Sequence, residues 1–240
     1  HADITADRHN DPVAAAPASP AGRFAPSPTG ELHLGNLRTA LVAWVSARAS
    51  GGRFVVRMED LDRVTSSREH ERSQLADLAA LGLDWDGEVV RQSDRFHLYE
   101  AAIADLTSRG LTYPCYCTRR EIREAAHAPH GLHADGAYPG TCRQLSASER
   151  ARREAQGRRP ALRLRADGVS VLVRDRLAGE HHGVVDDVVL RRNDGVPAYN
   201  LAVVVDDAAQ GVTEVVRGDD LWPSTPRQVH LQHLLGLPTP

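Results

Sequence analysis

One stretch near the start of the chain restricts the possible folds more than any other. Residues 23–36 read Arg-Phe-Ala-Pro-Ser-Pro-Thr-Gly-Glu-Leu-His-Leu-Gly-Asn. Two prolines and Gly30 predict a turn, and Gly35 and Asn36 can start a helix. Apolar residues then recur at helical spacing, at Leu37, Leu41, Trp44 and Val45. The stretch therefore predicts a strand, a tight loop and a helix.

A helix that begins just after such a loop offers a place for phosphate. Its first turn presents unpaired backbone N–H groups and the positive end of the helix dipole. His33 would lie at the mouth of that site. A Pro/Gly turn beside a single histidine is more often structural, so the pattern alone leaves a purely structural role open.

The next apolar run, Arg53 to Met58, suits a buried strand and ends at Glu59. Strand, helix and strand at this spacing form a βαβ unit, whose ligand site lies at the carboxyl ends of the parallel strands. Glu59 would hold a substrate ammonium there, or it is a solvated acidic turn.

These stretches resemble class I glutamyl-tRNA synthetases. Residues 23–36 are similar to the first signature of that family, in which a His-x-Gly-x turn holds ATP, and Arg57-Met-Glu-Asp to the segment whose Glu meets the substrate amino group. Residues 199–207 and 217–221 resemble the second half of the catalytic domain. The resemblance implies an α/β fold with a Rossmann-type core, in halves 22–104 and 195–240, and an inserted zinc-binding, acceptor-stem-type subdomain over residues 105–194. Residues 1–21 are expected to be a disordered tail.

The resemblance also implies roles for individual residues. Three would meet the nucleotide: His33, Gly35 and Asn36. Six would contact the amino acid: Arg23, Ala25, Ser27, Glu59, Tyr199 and Arg217. Of these, Arg23 and Arg217 would each hold a carboxylate of L-glutamate, because a guanidinium matches a carboxylate with two hydrogen bonds. Which arginine takes which carboxylate stays open.

The only three cysteines, Cys115, Cys117 and Cys142, give three thiolates, one short of a tetrahedral zinc site. Coordination chemistry favours an imidazole as the fourth ligand, from His127, His130 or His133. The spacing resembles a shortened paralogue of the synthetases in which a tyrosine ligates the metal, and this implies Tyr138. Three reduced cysteines in a small core are the alternative.

The second half of the chain reads as strands at 161–165, 169–173 and 187–191, and as a buried parallel strand over Val212 to Val216 that ends at Arg217. Its arginines could follow a phosphate backbone or form an ordinary solvated face. They are Arg152, Arg153, Arg158, Arg159, Arg163 and Arg165.

Composition excludes some classes of protein. The formal net charge of −3 gives no global attraction to nucleic acid, so RNA contacts would need a local basic face. No apolar run approaches the roughly 20 residues that span a bilayer. Three clustered cysteines do not make a secreted disulfide framework, so a monomer in a reducing cytoplasm is expected.

The resemblance implies ATP- and Mg²⁺-dependent activation of glutamate and its transfer to queuosine in tRNA(Asp), the reaction of the shortened paralogue. No stretch resembles the second nucleotide signature of the family, a Lys-Met-Ser-Lys-Ser-like loop, or an anticodon-binding domain. Two alternatives remain open. One is a fragment of a synthetase that charges tRNA(Glu), and the other is a non-catalytic RNA-binding relative.

Overall fold

The computed structural model describes residues 19–126 and 137–240. Strands and helices alternate as far as α4, and both occur in the rest of these ranges, which confirms the predicted α/β class. In chain order they are β1 Ala21–Phe24, α1 Leu34–Ala49, β2 Arg53–Met58, α2 Arg68–Ala80, β3 Val90–Arg91, α3 Phe96–Ser108, β4 Thr112–Cys115, α4 Arg119–Ala126, α5 Ala147–Ala155, β5 Ala161–Leu164, β6 Ser170–Asp175, β7 Gly179–Val184, β8 Val189–Arg191, α6 Tyr199–Ala209 and α7 Thr225–Leu235. None of these helices is long and apolar enough to cross a bilayer.

The first three strands form a parallel sheet in the order β1-β2-β3. Arg23 of β1 is paired with Val55 of β2, so the carboxyl ends of both strands reach the same edge. The predicted strand, loop and helix and the βαβ unit are therefore confirmed. Of the expected tail, residues 1–18 lie outside the described ranges, and Ala21 already belongs to β1.

Helix α1 packs against this sheet through small residues. Ala40, Ala43 and Ala47 are buried, whereas Leu41 and Val45 are about half exposed. A side chain at Gly22 of β1 would meet the Cβ of Ala47 at 3.1 Å, so the helix approaches the strand too closely for large residues between them. The apolar pattern predicted the helix, but its buried face is the alanine face.

Between α3 and α6 the chain forms an antiparallel sheet, β4-β5-β8, and the hairpin of β6 and β7. Strands β5, β6 and β8 match the three predicted strands to within a few residues. The sequence did not predict β7, whose residues Glu180, His181 and His182 are exposed and polar and give no apolar alternation.

The strand predicted over Val212 to Val216 is wrong. The backbone N–H groups of Thr213 and Glu214 both donate to the carbonyl oxygen of Ala21, at 2.9 and 3.2 Å, instead of forming a ladder. The segment still runs beside β1 and carries Arg217 towards the sheet. Helices α6 and α7 pack together through buried residues such as Leu201 and Leu231.

Candidate active site

A buried group of charges joins the carboxyl end of the parallel sheet to α6. Nε of Arg23 donates to both carboxylate oxygens of Asp207, at 3.2 and 3.4 Å, and its Nη1 donates to the carbonyl of Val216 at 3.1 Å. Burial opposes the charge of Asp207, but Arg23 and Arg57 hold its pKa below the usual range. Nη2 of Arg23 makes no hydrogen bond within the described part of the chain.

Arg57 of β2 is fully buried beneath this pair. Its Nη2 donates to Asp207 at 2.7 Å and its Nη1 to the side-chain oxygen of Gln210 at 2.7 Å. Burial alone would lower the pKa of Arg57, yet the charges of Asp207, Glu59 and Asp206 raise it. Arg57 therefore stays charged and acts as the fixed cation of the group.

Glu59 follows β2 and lies 3.6 Å from the nearest nitrogen of Arg57, with only 10% of its side chain exposed. Burial raises its pKa to about 7, and the nearby charges of Arg57 and Arg23 partly counter the effect. The carboxylate therefore titrates near neutral pH. Its backbone N–H donates to the carbonyl of Pro26 at 2.9 Å and so joins β2 to the loop after β1.

Arg217 approaches from the other half of the chain and has neutral partners. It donates to the side-chain oxygen of Gln228 at 2.7 Å and to the hydroxyl of Thr225, both of α7. No carboxylate lies within ion-pair distance of it among the described residues. Burial, together with the like charge of Arg23, lowers its pKa. The site thus contains a partly buried guanidinium that has no ion-pair partner among the described residues.

Tyr199, at the start of α6, lies among these side chains. Burial and the charge of Glu59 raise its pKa, while Arg217 and Arg23 oppose the shift. The structure therefore brings four of the six predicted amino-acid-binding residues into one neighbourhood: Arg23, Glu59, Tyr199 and Arg217.

The other two, Ala25 and Ser27, lie in the loop after β1. Ser27 is exposed, and its hydroxyl makes no hydrogen bond within the described ranges. The buried side chain of Gln74, on α2, donates to the carbonyls of Ser27 and Gly30 at 3.1 and 2.8 Å. This glutamine fixes the loop that carries both residues.

His33 is the N-cap of α1, and its ring is part of the cap. Nδ1 accepts a hydrogen bond from the N–H of Gly35 at 3.1 Å, and the His33 N–H donates to the side chain of Asn36 at 3.2 Å. Since Nδ1 is an acceptor, the neutral ring carries its proton on Nε2, which faces solvent. A Cβ at Gly35 would lie 2.9 Å from the ring, so a side chain at this position would displace the ring from the cap. The cap leaves an imidazole N–H beside the positive end of α1.

The three cysteines form a compact cluster with Tyr138. The Tyr138 oxygen lies 3.3 Å from the sulfur of Cys115 and 3.7 Å from that of Cys117, and the sulfurs of Cys117 and Cys142 are 3.4 Å apart. Contacts with the other two sulfurs lower the pKa of the Cys115 thiol, which favours the thiolate. All three cysteines are free.

This geometry fits a metal ion with tetrahedral coordination. With metal–sulfur bonds of about 2.3 Å, the edges of a tetrahedral site are roughly 3.8 Å, only slightly longer than the separations found here. Among the described residues, the three cysteines form the group of side chains that could bind a metal ion, because their sulfur atoms lie within 4.8 Å of one another. The alternative ligands His127, His130 and His133 lie outside the described residues.

The predicted basic face is not uniform. Arg163 is buried, Arg165 stacks on Tyr113, and Arg158 pairs with Glu121 at 3.0 Å. Arg152 and Arg159 are exposed. A solvated or phosphate-binding role is therefore wrong for Arg163.

Sequence reasoning missed the residues that hold the site together. They are Arg57, Gln74, Asp207 and Gln228. Paired aspartates at the end of a valine-rich helix and an arginine just before Glu59 were available signals. The pairing of Arg57 with Asp207 could not be predicted from the sequence, because the two residues are 150 positions apart.

Residues 21–240 match the family model described as tRNA synthetases class I (E and Q), catalytic domain. The chain therefore belongs to the class I tRNA synthetases, in the branch that this model defines. It is 67% identical over 220 residues to a glutamyl-Q tRNA(Asp) synthetase of Nocardia farcinica, with 92% of this chain and 70% of the relative covered. A protein of the same name from Cutibacterium acnes is 57% identical, with 92% and 62% covered.

Solved structures show the same fold. A glutamate tRNA ligase from Elizabethkingia meningosepticum, in complex with its amino acid, superposes with a TM-score of 0.79 at 29% identity. The match covers 92% of this chain and 48% of the ligase. The chain thus spans about half of the solved relative and roughly two thirds of the curated ones.

Proposed function

We propose that this chain activates L-glutamate with ATP and Mg²⁺ to glutamyl adenylate, and transfers the glutamate to queuosine in the anticodon loop of tRNA(Asp). The two curated relatives reported above, which match over nine tenths of this chain, are named glutamyl-Q tRNA(Asp) synthetases. The observation that carries the proposal is Arg217, a partly buried guanidinium with neutral hydrogen-bond partners beside Arg23, Tyr199 and Glu59.

Two guanidiniums and one carboxylate suit an amino acid with two acidic groups. Arg217 and the free Nη2 of Arg23 would each meet a carboxylate of glutamate, and Glu59 would accept from its ammonium. Tyr199 adds a hydroxyl, while Ala25 and Ser27 line the loop side. A neutral amide opposite a buried guanidinium leaves its charge uncompensated, so glutamine is expected to bind more weakly.

ATP would bind at the start of α1, where His33 Nε2–H and the first-turn N–H groups near Gly35 and Asn36 face the phosphates. Catalysis would then rest on holding the two reactants in place and on charge stabilisation at the phosphorus that is attacked. Mg²⁺ would enter with the nucleotide and neutralise phosphate charge.

We further propose a structural zinc site formed by Cys115, Cys117, Tyr138 and Cys142, within an inserted subdomain over residues 105–194. Residues 22–104 and 195–240 would form the two halves of the catalytic core. The three free cysteines fit a reducing compartment, where zinc-bound thiolates persist, and we propose a cytoplasmic enzyme that acts as a monomer.

Isotope exchange between pyrophosphate and ATP tests the activation step. Exchange is expected with glutamate, and at most a hundredth of that rate with glutamine or aspartate. No exchange with any amino acid would favour a non-catalytic RNA-binding relative.

The second candidate is a fragment of a synthetase that charges tRNA(Glu), favoured by the fold shared with a glutamate tRNA ligase. Transfer of labelled glutamate separates the two functions. We expect labelling of tRNA(Asp) that contains queuosine, and none of the same tRNA without queuosine or of tRNA(Glu). Labelling of tRNA(Glu) alone would establish the second candidate.

A further inference from the structure

Arg163 lies directly against the cysteine and tyrosine cluster. It belongs to β5, only 7% of the residue is exposed, and its guanidinium carbon is 3.7 Å from the centre of the Tyr138 ring. A cation stacked this closely on a ring interacts with the negative face of that ring.

No carboxylate among the described residues pairs with this guanidinium. Its Nη1 donates to the backbone carbonyl of Asp187 at 2.6 Å, and its Nε is buried without a hydrogen-bond partner. The carboxylate of Asp187 is taken by Arg143 and by the hydroxyl of Tyr113. A buried cation without a counter-charge is costly, so Arg163 needs an anionic neighbour.

The ligand cluster becomes that neighbour when it binds zinc. Three thiolates around Zn²⁺ would leave one net negative charge beside Arg163, with the Tyr138 phenol counted as neutral. Two backbone N–H groups already point at ligand atoms, from Tyr116 to the sulfur of Cys142 at 3.4 Å and from Cys142 to the Tyr138 oxygen at 2.8 Å. Neither contributes a full positive charge.

We propose that Arg163 is the counter-cation of the metal centre, a charge-balancing residue that touches a ligand but does not bind the metal. The proposal rests on the zinc site proposed above. It accounts for a buried arginine in the middle of an otherwise apolar strand, and it makes zinc affinity depend on a residue outside the ligand set.

Two substitutions at this position separate charge from hydrogen bonding. Arg163→Lys keeps a positive charge and a donor for the Asp187 carbonyl, whereas Arg163→Gln keeps only a donor. Arg165→Gln is the matched control, because Arg165 stacks on Tyr113 at 5.1 Å, and Tyr113 is not in the proposed ligand set. Zinc affinity is measured by competition with a chromophoric chelator, and the melting temperature is measured for zinc-loaded and stripped protein.

Arg163→Gln is expected to weaken zinc binding 10- to 100-fold, the usual effect of losing an outer-shell partner. Arg163→Lys should stay within about fivefold of the wild type, and Arg165→Gln should not change zinc affinity. The rise in melting temperature on zinc loading should shrink in Arg163→Gln alone. A purely structural role would instead lower the melting temperature of both forms equally.

Equal zinc affinity of the Gln and Lys variants would overturn the counter-cation role. Wild-type protein that binds no zinc would instead remove the zinc site itself, so the two failures are distinguishable. If Arg163→Gln does not fold, the Lys variant still decides, because zinc binding weakened more than tenfold despite the retained charge contradicts the proposal.

Discussion

Arg23 of β1 and Asp207 of α6 form a buried ion pair across 184 positions of sequence, at 3.2 Å. Asp207 also accepts from the fully buried Arg57 at 2.7 Å. One carboxylate therefore pairs with two cations and holds α6 against the carboxyl end of the sheet. Arg217 has no such partner among the described residues, so its charge is left for a ligand, whereas Arg23 keeps only its Nη2 free.

Replacing Asp207 with Asn should destabilise the fold strongly. Two buried guanidiniums would each lose their main counter-charge, and breaking a buried pair in this way costs about 3 to 5 kcal/mol. Urea denaturation followed by circular dichroism measures the free energy of unfolding. Asp219→Asn is the control, because Asp219 is exposed and should change that free energy by less than about 0.5 kcal/mol. If Asp207→Asn lowers the free energy of unfolding by no more than the control does, the ion pair is not needed for stability.

Replacing Gln228 with Glu should block glutamate binding. The new carboxylate would pair with Arg217 and satisfy the charge that we assign to the substrate. Calorimetric titration is expected to show glutamate affinity at least tenfold lower than for Gln228→Met, which removes the hydrogen bond without adding a charge. ATP affinity should be the same in both variants. Equal glutamate affinity in the two would mean that Arg217 does not face the substrate.

Arg217→Ala should itself lower glutamate affinity at least tenfold and leave ATP affinity nearly unchanged, because the nucleotide is assigned to the start of α1. Arg176→Ala is a control for loss of a positive charge, since Arg176 is largely exposed and its ion pair within the described ranges is with Glu214. The dissociation constants for glutamate and for ATP are both measured by titration calorimetry. Unchanged glutamate binding in Arg217→Ala would exclude this arginine from the site.

Glutamate affinity should fall as the solution is acidified through neutrality. Burial raises the pKa of Glu59 to about 7, and only the ionised carboxylate can accept from the substrate ammonium. Neither glutamate carboxyl nor its ammonium titrates between pH 6 and 8, so affinity should be roughly tenfold weaker at pH 6 than at pH 8. The Glu59→Gln variant should bind weakly at both pH values. An unchanged affinity for the wild type over this range would contradict the assignment.

The same titration has the opposite effect on stability. Because the pKa of Glu59 is raised on folding from 4.5 to about 7, its contribution to the free energy of unfolding is present below pH 4.5 and is lost as the pH rises through 7. Glu59→Gln stays neutral, so above pH 7 it should be more stable than the wild type. The urea midpoints of both proteins at pH 5 and pH 8 test this. If the stability advantage of Glu59→Gln over the wild type does not grow with pH, the result would argue against a buried carboxylate.

Gly35→Ala should weaken ATP binding several-fold. The added methyl group would meet the His33 ring at 2.9 Å and push it out of the cap, which removes its Nε2–H from the phosphate position. Gly30→Ala is the matched control, because a methyl group at Gly30 meets no atom within 4 Å. Equilibrium binding of a fluorescent ATP analogue compares the two variants, and equal affinities would show that the ring position is irrelevant to the nucleotide.

Zinc should co-purify at about one atom per chain, and Tyr138→Phe should weaken its retention. Elemental analysis of protein prepared without chelators measures the metal. Substitution of His130 or His133 serves as the comparison, because stronger loss there would identify an imidazole as the fourth ligand. Less than a tenth of an equivalent in the wild type would exclude a resident zinc.

The sequence predicted those parts of the molecule that depend on local patterns. Helix α1 follows from Gly, Pro and apolar spacing, and β2 follows from a short apolar run before Glu59, whereas the cap formed by His33 was not predicted. The packing face of α1 was not predictable in the same way, because Gly22 admits the helix so closely that alanines, and not leucines, fill the contact.

The residues of the candidate site also fall into some that the sequence predicted and some that it did not. Arg23, Glu59, Tyr199 and Arg217 were found through a family resemblance, and their assigned roles stay predictions. Gln228 and Asp207 were not found, because a glutamine in an amphipathic helix and an aspartate after valines have many ordinary explanations. Their function depends on which side chains they meet, and this is a property of the tertiary fold.

The ion pair between Arg57 and Asp207 also has a consequence for the newly made chain. The two residues are 150 positions apart. At roughly 5 to 20 residues per second, Arg57 leaves the ribosome on the order of 10 s before Asp207 does. During that interval β1, α1 and β2 cannot bury their guanidiniums against the proper partner. The charge group at the carboxyl end of the sheet is therefore completed only after α6 has been synthesised, which makes this ion pair a late contact in folding.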